Sequence, residues 1–192
     1  MIAEVRTTEP ERHKAFWRDA MLLAEAIAFS VVVPGAMWYW VPREVLGLWP
    51  AQVRPASWSI WHSASLLLLA PGLAIYLRCL WEFAARGRGI PAPLDHPKTL
   101  VVSGLYQYVR NPMYLGGLLT LLGEASFFQS PGCVTYAIGW FVMVHFTVLF
   151  YEEPNLTRKF GASYLRYRSV VRRWIPGKRY RSAPEAIPTQ HS

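Results

Sequence analysis

Apolar residues in this chain come in long blocks rather than in short periodic stripes. Four blocks are long enough to cross a bilayer, because a helix needs roughly 20 apolar residues to span the hydrocarbon core. They run from about 20 to 41, 60 to 81, 112 to 129 and 132 to 151. Lipid offers no hydrogen-bond partners to an open backbone, so each block is expected to be helical. The pattern predicts an all-α integral membrane bundle with about four transmembrane helices.

The connection between the third and fourth blocks consists of Ser130 and Pro131. So short a connection predicts a tight antiparallel hairpin. Gly116, Thr120 and Gly123 place small residues on one face of the third block. Such a face lets a neighbouring helix approach closely.

Beyond Pro154 the pattern changes to that of a separate amphipathic helix. Its apolar positions are three and four residues apart and form one stripe: Leu156, Phe160, Tyr164, Tyr167 and Val171. Basic residues cover much of the remaining surface. We therefore expect an interfacial helix that lies along the cytoplasmic headgroup surface, where it would cover a pocket beside the end of the fourth block.

The composition and the charge distribution agree with a membrane protein. Of 192 residues, 53% are apolar and 17% are charged, whereas about a quarter of a soluble domain is charged. The N-terminal segment and the C-terminal tail are rich in Lys and Arg, and the last connection has none. The positive-inside rule then predicts that both termini are cytoplasmic. We interpret the net charge of +8 as topology and attraction to anionic lipids, and no nucleic-acid-binding pattern is visible.

One domain is expected for a chain of this length. The predicted organisation is a cytoplasmic N-terminal segment at 1–19, a transmembrane domain at 20–181 with its site within 98–176, and a flexible tail at 182–192. The first block follows a polar, mixed-charge stretch and is longer than a signal-peptide core, so we expect it to remain as an anchor. Cys79 and Cys133 stand alone, without metal-ligand spacing, and no metal site is expected.

Ionisable residues inside apolar blocks are costly in a membrane and are candidates for function. In this chain they are Glu25, His62, Glu124, His145, Glu152 and Glu153. The Glu152–Glu153 pair ends the fourth block, where the helix dipole disfavours carboxylates and a cationic partner is expected. Nearby arginines would serve, and so would a bound amine or sulfonium. His145 lies two turns before Glu152 and is expected on the same face of the helix.

The start of the third block, "SGLYQYVRNPMYLGG", has the residues of a helix beginning. Asn111 is a favourable N-cap and Pro112 a favourable first helical residue. The free N–H groups of such a start favour a carboxylate or a phosphate. Because the last two blocks form a hairpin, this start should lie close to the glutamate pair. A ligand with both a carboxylate and a positive centre suits the two ends, and S-adenosylmethionine is such a molecule.

The ordered set "KTLVVSGLYQYVRNPMYLG", a helical hairpin and "EEPNLTRKFGASYLRYRSVVRRWIP" resembles the isoprenylcysteine carboxyl methyltransferase family and its phospholipid methyltransferase relatives. The resemblance covers roughly residues 98–176. It implies S-adenosylmethionine as the cofactor and methyl transfer to a hydrophobic or lipid-linked acceptor. The implied cofactor-contacting residues are Lys98, Thr99, Leu100, Val101, Tyr106, Asn111, Pro112, Met113, Tyr114 and Glu152. Glu153, Tyr164 and Tyr167 would support or line the same pocket.

Two positions depart from the pattern of that family. Asn111 stands where the family often has His, although Asn retains the capping role. Isoprenylcysteine enzymes place an Arg about one turn before the glutamate pair to hold the substrate carboxylate. The corresponding residues here, Thr147–Phe150, include no cation. This difference argues against prenylcysteine as the acceptor.

The implied reaction is an in-line displacement at the sulfonium methyl group. A carboxylate or thiolate acceptor needs no general base, whereas an amine acceptor would pass a proton to His145, Glu153 or a tyrosine. Two alternatives stay open. Sterol-type membrane reductases share the C-terminal architecture and use NADPH, although the glutamate pair fits a polyanion poorly. A non-catalytic membrane protein would retain the fold without the chemistry.

Overall fold

The structure is a computed structural model that describes residues 31–48, 59–85, 100 and 102–181. The predicted first span is therefore described only from residue 31. The predicted site residues Lys98, Thr99 and Val101 lie outside the described residues, as do Glu25 and the two predicted terminal segments.

The described part of the chain is built from helices. The first, α1, is helical from residue 31 and has π-helical geometry over Ala36–Val45. It is followed by α2 (Ile60–Ala85), a 3₁₀ turn (Gly104–Gln107), α3 (Pro112–Phe128), α4 (Pro131–Thr147), a π-helical turn (Val148–Glu152) and α5 (Glu153–Val170). Since these elements include no β-strand within the described ranges, the prediction of an all-α fold is confirmed.

The surface of this bundle is that of a membrane protein. Within the described ranges, two helical stretches are long and apolar enough to cross a membrane, Ile60–Glu82 and Pro131–Val170. Large apolar side chains point outward, among them Ile60 at 78%, Leu67 at 77% and Phe150 at 71% exposure. An outward apolar surface of this kind is matched by lipid rather than by water.

Small residues allow α2 and α3 to pack closely against each other. A Cβ added at Gly72 would stand 2.8 Å from the backbone nitrogen of Thr120, and one at Gly116 would stand 2.8 Å from the Gly72 carbonyl. At Gly123 an added Cβ would meet Leu69 at 2.6 Å. The predicted small-residue face of α3 is therefore confirmed, and its partner is α2.

The turn between α3 and α4 is as short as predicted. Gln129 closes α3 in the left-handed conformation, with φ of 49°, and Ser130 caps α4 by accepting from the Cys133 N–H at 3.3 Å. Ser130 Oγ also donates to the carbonyl of Leu48 at 2.8 Å, which fastens α1 to this end of the hairpin.

The predicted separation of α4 from α5 at Pro154 is wrong, because the helix continues through the proline. Proline has no N–H, and its ring clashes with the carbonyl four residues earlier. The helix accommodates this by widening, so that the Glu153 N–H reaches back five residues to the Val148 carbonyl. The bend comes later, at Gly161, whose φ of 50° and ψ of −127° suit glycine.

The chain after α5 pairs with the segment that precedes α3. The Arg110 N–H donates to the Arg172 carbonyl at 3.0 Å. Farther along, the Gly177 N–H donates to the Tyr108 carbonyl at 2.9 Å. These hydrogen bonds hold the chain after α5 against the segment that precedes α3.

The apolar stripe of α5 exists as predicted, but its second half faces protein rather than lipid. Tyr164, Tyr167 and Val171 are at most 3% exposed. They form a core cluster against which Leu100 and Phe160 pack. The expected placement of the whole helix along the headgroup surface is therefore wrong for this half.

Candidate active site

The start of α3 meets the π-helical turn that follows α4 and the first residue of α5, as the hairpin leads one to expect. The hydroxyl of Tyr114, in the first turn of α3, donates a short hydrogen bond to Glu152 Oε1. The next residue, Glu153, contacts Arg110, with Oε1 lying 3.0 Å from Arg110 Nη1. Glu152 thus contacts the first turn of α3, and Glu153 contacts the segment that leads into it.

Glu153 is the centre of a buried ion cluster. Its side chain is 7% exposed, and Arg173 binds both carboxylate oxygens, with Nε–Oε1 at 2.5 Å and Nη2–Oε2 at 3.0 Å. Arg110 adds a third contact, and Arg168 Nη1 stands 4.0 Å from Oε2. The hydrogen bond to Glu153 raises the pKa of Arg173, which therefore stays charged. The sequence predicted either arginines or a bound cation as the partner of the glutamate pair, and for Glu153 the partners are arginines.

Glu152 is less completely paired than its neighbour. The residue is half-buried, and among the described residues its hydrogen-bond partner is the Tyr114 hydroxyl. A carboxylate has about four lone-pair sites. Glu152 therefore keeps acceptor capacity for a cationic group, which Glu153 does not.

Asn111 occupies the N-cap position of α3, but its side chain does not cap the helix. Its amide donates instead to the Arg173 carbonyl at 3.3 Å, so the capping role expected for it is wrong. Because Pro112 has no N–H, the first donors of the helix are those of Met113 and Tyr114, and Asn111 leaves them without a side-chain acceptor. An uncapped helix start thus lies beside Glu152.

Arg110 has a further unused donor. Its Nη1 serves Glu153 and the Tyr164 hydroxyl, the latter at 3.3 Å. Its Nε is buried and has no hydrogen-bond partner within the described part of the chain. A buried donor of this kind is costly unless an acceptor reaches it. Unused N–H donors, of Arg110 and of the first turn of α3, therefore lie near the Glu152 carboxylate.

The other predicted contact residues form a packed wall behind the ion cluster. The Tyr167 hydroxyl donates to the Tyr106 carbonyl at 2.7 Å, and Leu100 packs on the cluster that contains Tyr164 and Tyr167. Burial raises the pKa of the Tyr106 phenol well above its ordinary value, and Cys79 is among its neighbours. These side chains support the segment around Arg110.

His145, predicted as a proton acceptor, has a partner of its own. The indole N–H of Trp174 donates to His145 Nδ1 at 3.0 Å, and Phe141 packs on Trp174 at 4.9 Å between ring centroids. Since an indole nitrogen only donates, Nδ1 is the acceptor and Nε2 carries the proton of the neutral ring. The π-helical turn Val148–Glu152 also lies between the two residues and winds with more residues per turn than the α-helix on which the expectation of a shared face was based.

Glu82, near the end of α2, was missed by sequence reasoning. It is 3% exposed, accepts from Ser103 Oγ at 3.3 Å and lies 2.8 Å from Arg78 Nη2. Gly104, with φ of 57°, lets the chain pass so close that a Cβ there would overlap the carboxylate. The four-residue spacing of Arg78 and Glu82 was the available signal.

A cleft of about 510 Å³ opens beside the ion cluster. Its lining includes Leu149, Glu153, Thr157, Arg158, Arg168 and Arg173. Neither Glu152 nor Tyr114 is part of it. The site thus has two distinct parts, the Tyr114–Glu152 contact and the arginine-lined cleft that contains Glu153.

The sequence of these helices matches that of a known protein family. The sequence profile of the phospholipid methyltransferase family matches residues 60–163, which is more than half of the chain. The chain belongs to the phospholipid methyltransferase family. The profile begins with α2 and ends within α5, so the elements that carry the glutamates and the start of α3 lie inside it.

Curated relatives of this family member are methyltransferases by name. Protein-S-isoprenylcysteine O-methyltransferase of Rattus norvegicus is 26% identical over 182 residues, covering 91% of this chain and 60% of the relative. The same enzyme of Mus musculus is 25% identical over the same length, again covering 91% of this chain and 60% of the relative. Phosphatidylethanolamine N-methyltransferase of Yarrowia lipolytica is 33% identical over 70 residues, which are 36% of this chain and 7% of that protein.

The chain thus spans about three fifths of the length of the two mammalian relatives. No solved structure matches the chain. The resemblance to this group, which was based on residues 98–176, is confirmed at the level of the family.

Proposed function

We propose that this protein transfers a methyl group from S-adenosylmethionine to a hydrophobic or membrane-dissolved acceptor. The observation that carries the proposal is the Tyr114–Glu152 contact, which joins the uncapped start of α3 to the π-helical turn that follows α4. Membership of a methyltransferase family supports it. The charge bias of the sequence favours the cytoplasmic face as the location of this site.

The residues at this contact suit both the positive groups and the carboxylate of the cofactor. Glu152 would hold the ammonium or the sulfonium, because it has acceptor capacity beyond the Tyr114 hydroxyl. The uncapped first-turn N–H groups of Met113 and Tyr114 would hold the carboxylate. The unpartnered Arg110 Nε is a further donor close to Glu153.

When bound, S-adenosylmethionine supplies a methyl group that is already activated by its sulfonium. The protein then has to align the acceptor and to exclude water. Alignment of two reactants lowers a barrier by roughly 7–11 kcal/mol at best. The Glu153 cluster contributes by fixing Arg110, and with it the segment that leads into Tyr114.

The lipid-facing surface next to Glu152 suits an apolar acceptor. Phe150 and Tyr151, directly before it, are 71% and 55% exposed. The relatives methylate isoprenylcysteine and phosphatidylethanolamine by name. Because Thr147–Phe150 provides no cation for an acceptor carboxylate, we favour an amine or a thiol on a lipid-like molecule.

The decisive experiment is calorimetric titration of the Glu152→Gln variant with S-adenosylmethionine in detergent. We expect the affinity to fall at least tenfold, about 1.4 kcal/mol, because the variant loses its negative charge and keeps its shape. Glu44→Gln is the matched control, since Glu44 is half-exposed and pairs with Arg43 away from the site. Unchanged affinity in the Glu152 variant would contradict the proposal, and binding of NADPH instead would favour the reductase alternative.

A further inference from the structure

The cleft beside the ion cluster is created by the bend at Gly161. One wall comes from the first part of α5 and carries Thr157 and Arg158, whereas Arg168 and Arg173 come from the chain after the bend. A straight helix would carry Arg168 about 15 Å from Arg158, at 1.5 Å per residue. The bend therefore gathers three guanidinium groups around a space of about 510 Å³.

The positive charge around this cleft exceeds what Glu153 neutralises. Arg110, Arg158, Arg168 and Arg173 lie in or beside the cleft, against the one carboxylate of Glu153. Arg173 and Arg110 already hold that carboxylate at 3.0 Å or less. The positive charges of the other two guanidinium groups, those of Arg158 and Arg168, are therefore not needed to balance Glu153.

The two remaining arginines have donors to spare. Arg168 reaches Glu153 with one nitrogen at 4.0 Å, and its side chain is 48% exposed. Arg158 donates to the Asn155 side chain at 3.2 Å and is exposed. A guanidinium group has five N–H donors, so most donors of both residues have no partner within the described part of the chain.

We propose that this cleft binds a phosphate group, carried either by a lipid headgroup or by a soluble phosphate. The planar fork of arginine matches phosphate oxygens, and several guanidinium groups together suit an anion with more charge than a carboxylate. The proposal stands apart from the methyl-transfer function, because Glu152 and Tyr114 do not line the cleft.

The test uses the full chain in a neutral detergent and three probes. The probes are inorganic phosphate, dioctanoyl phosphatidic acid and dioctanoylglycerol, which lacks the phosphate. In Arg158→Gln/Arg168→Gln we expect phosphate-probe affinity to fall at least tenfold. The matched control, Arg166→Gln/Lys178→Gln, also removes two exposed positive charges but leaves the cleft lining intact, and we expect a change below twofold.

Each outcome decides the proposal. Binding of the phosphatidic acid alone identifies a headgroup site, and binding of inorganic phosphate as well identifies a site for soluble phosphates. Equal weakening in both double variants would overturn the proposal, since it would show unspecific attraction. So would equal binding of dioctanoylglycerol and the phosphate probes by the unmodified protein.

A parallel titration separates this proposal from the cofactor site. We expect the Arg158→Gln/Arg168→Gln protein to bind S-adenosylmethionine within twofold of the unmodified protein. A tenfold loss would assign the cleft to the cofactor and overturn the proposal. If the unmodified protein does not bind S-adenosylmethionine, the methyl-transfer function fails and the phosphate measurement still stands. If the glutamine variant does not fold, Arg158→Lys/Arg168→Lys keeps the charge without the fork, and a severalfold weakening is expected.

Discussion

Glu152 and Glu153 are neighbours in the chain, yet their carboxylates have different surroundings. Glu153 is held by Arg110 and Arg173 inside a buried cluster. Glu152 meets the Tyr114 hydroxyl and is half-buried. Consecutive helical residues point about 100° apart, so two adjacent carboxylates reach two different partners.

This difference teaches how a paired acidic motif divides its tasks. A carboxylate between two close arginines is already neutralised, and its removal exposes those charges to each other. A carboxylate with one hydroxyl partner is open to a cationic ligand. We therefore infer that Glu153 stabilises the fold of the site and that Glu152 binds the ligand.

The largest expected effect is that of Glu153→Gln on stability. Breaking a buried ion pair from one side costs about 3–5 kcal/mol, because the remaining charge has no partner. The free energy of unfolding in mixed micelles measures the loss. The exposed pair Arg43–Glu44 gives the matched control, and Glu44→Gln should cost no more than about 1 kcal/mol.

The opposite result would restore the catalytic role predicted for Glu153. If Glu153→Gln unfolds like the unmodified protein and loses methyl transfer, then this carboxylate acts in the reaction. In that case the ligand would displace Arg110 and Arg173 from Glu153 when it binds.

The next largest effect is expected for Tyr114→Phe. The variant keeps the ring, whose centroid lies 6.4 Å from that of Trp140, and loses the hydroxyl that orients Glu152. A hydrogen bond to a charged group contributes about 1.5–3 kcal/mol, so we expect S-adenosylmethionine to bind roughly tenfold more weakly. Calorimetric titration measures this. An affinity within twofold of the unmodified protein would show that Glu152 needs no orienting partner.

A smaller effect is expected for His145→Gln. The glutamine carbonyl can still accept the Trp174 N–H, and neither imidazole nitrogen of the neutral ring is a free acceptor. We therefore expect label transfer from methyl-labelled S-adenosylmethionine into membranes to stay within threefold at every pH. Removal of a general base lowers the rate about 10²–10⁴-fold, so a loss of that size that is largest at high pH, where a base is unprotonated, would support the catalytic role.

Length and turn chemistry made much of the fold predictable. The second span was expected to begin at Ile60, where α2 begins, and the hairpin was expected at Ser130 and Pro131. The small residues of α3 indicated close packing, which Gly72 of α2 completes. These features depend on local sequence, and so a single chain reveals them.

The rest depends on how the chain accommodates exceptions. A proline usually ends a helix, but here a π-helical turn absorbs Pro154 and carries the helix on to Gly161. The burial of Glu82 depends on Gly104, which is 22 positions away in the printed sequence. Sequence reasoning brought the glutamate pair to the start of α3, but which glutamate faces arginine is decided by the helix register that the π-helical turn sets.

The smallest expected effect is that of Arg168→Gln on stability. Arg168 is the outermost member of the Glu153 cluster, with 48% of its side chain exposed and a 4.0 Å approach to the carboxylate. Exposed pairs of this kind contribute about 0–1 kcal/mol, so the free energy of unfolding should change by less than that. Arg166→Gln on the same helix is the control for loss of charge alone. A loss as large as that of Glu153→Gln would place Arg168 within the buried cluster, and the charge available in the cleft would be smaller than inferred.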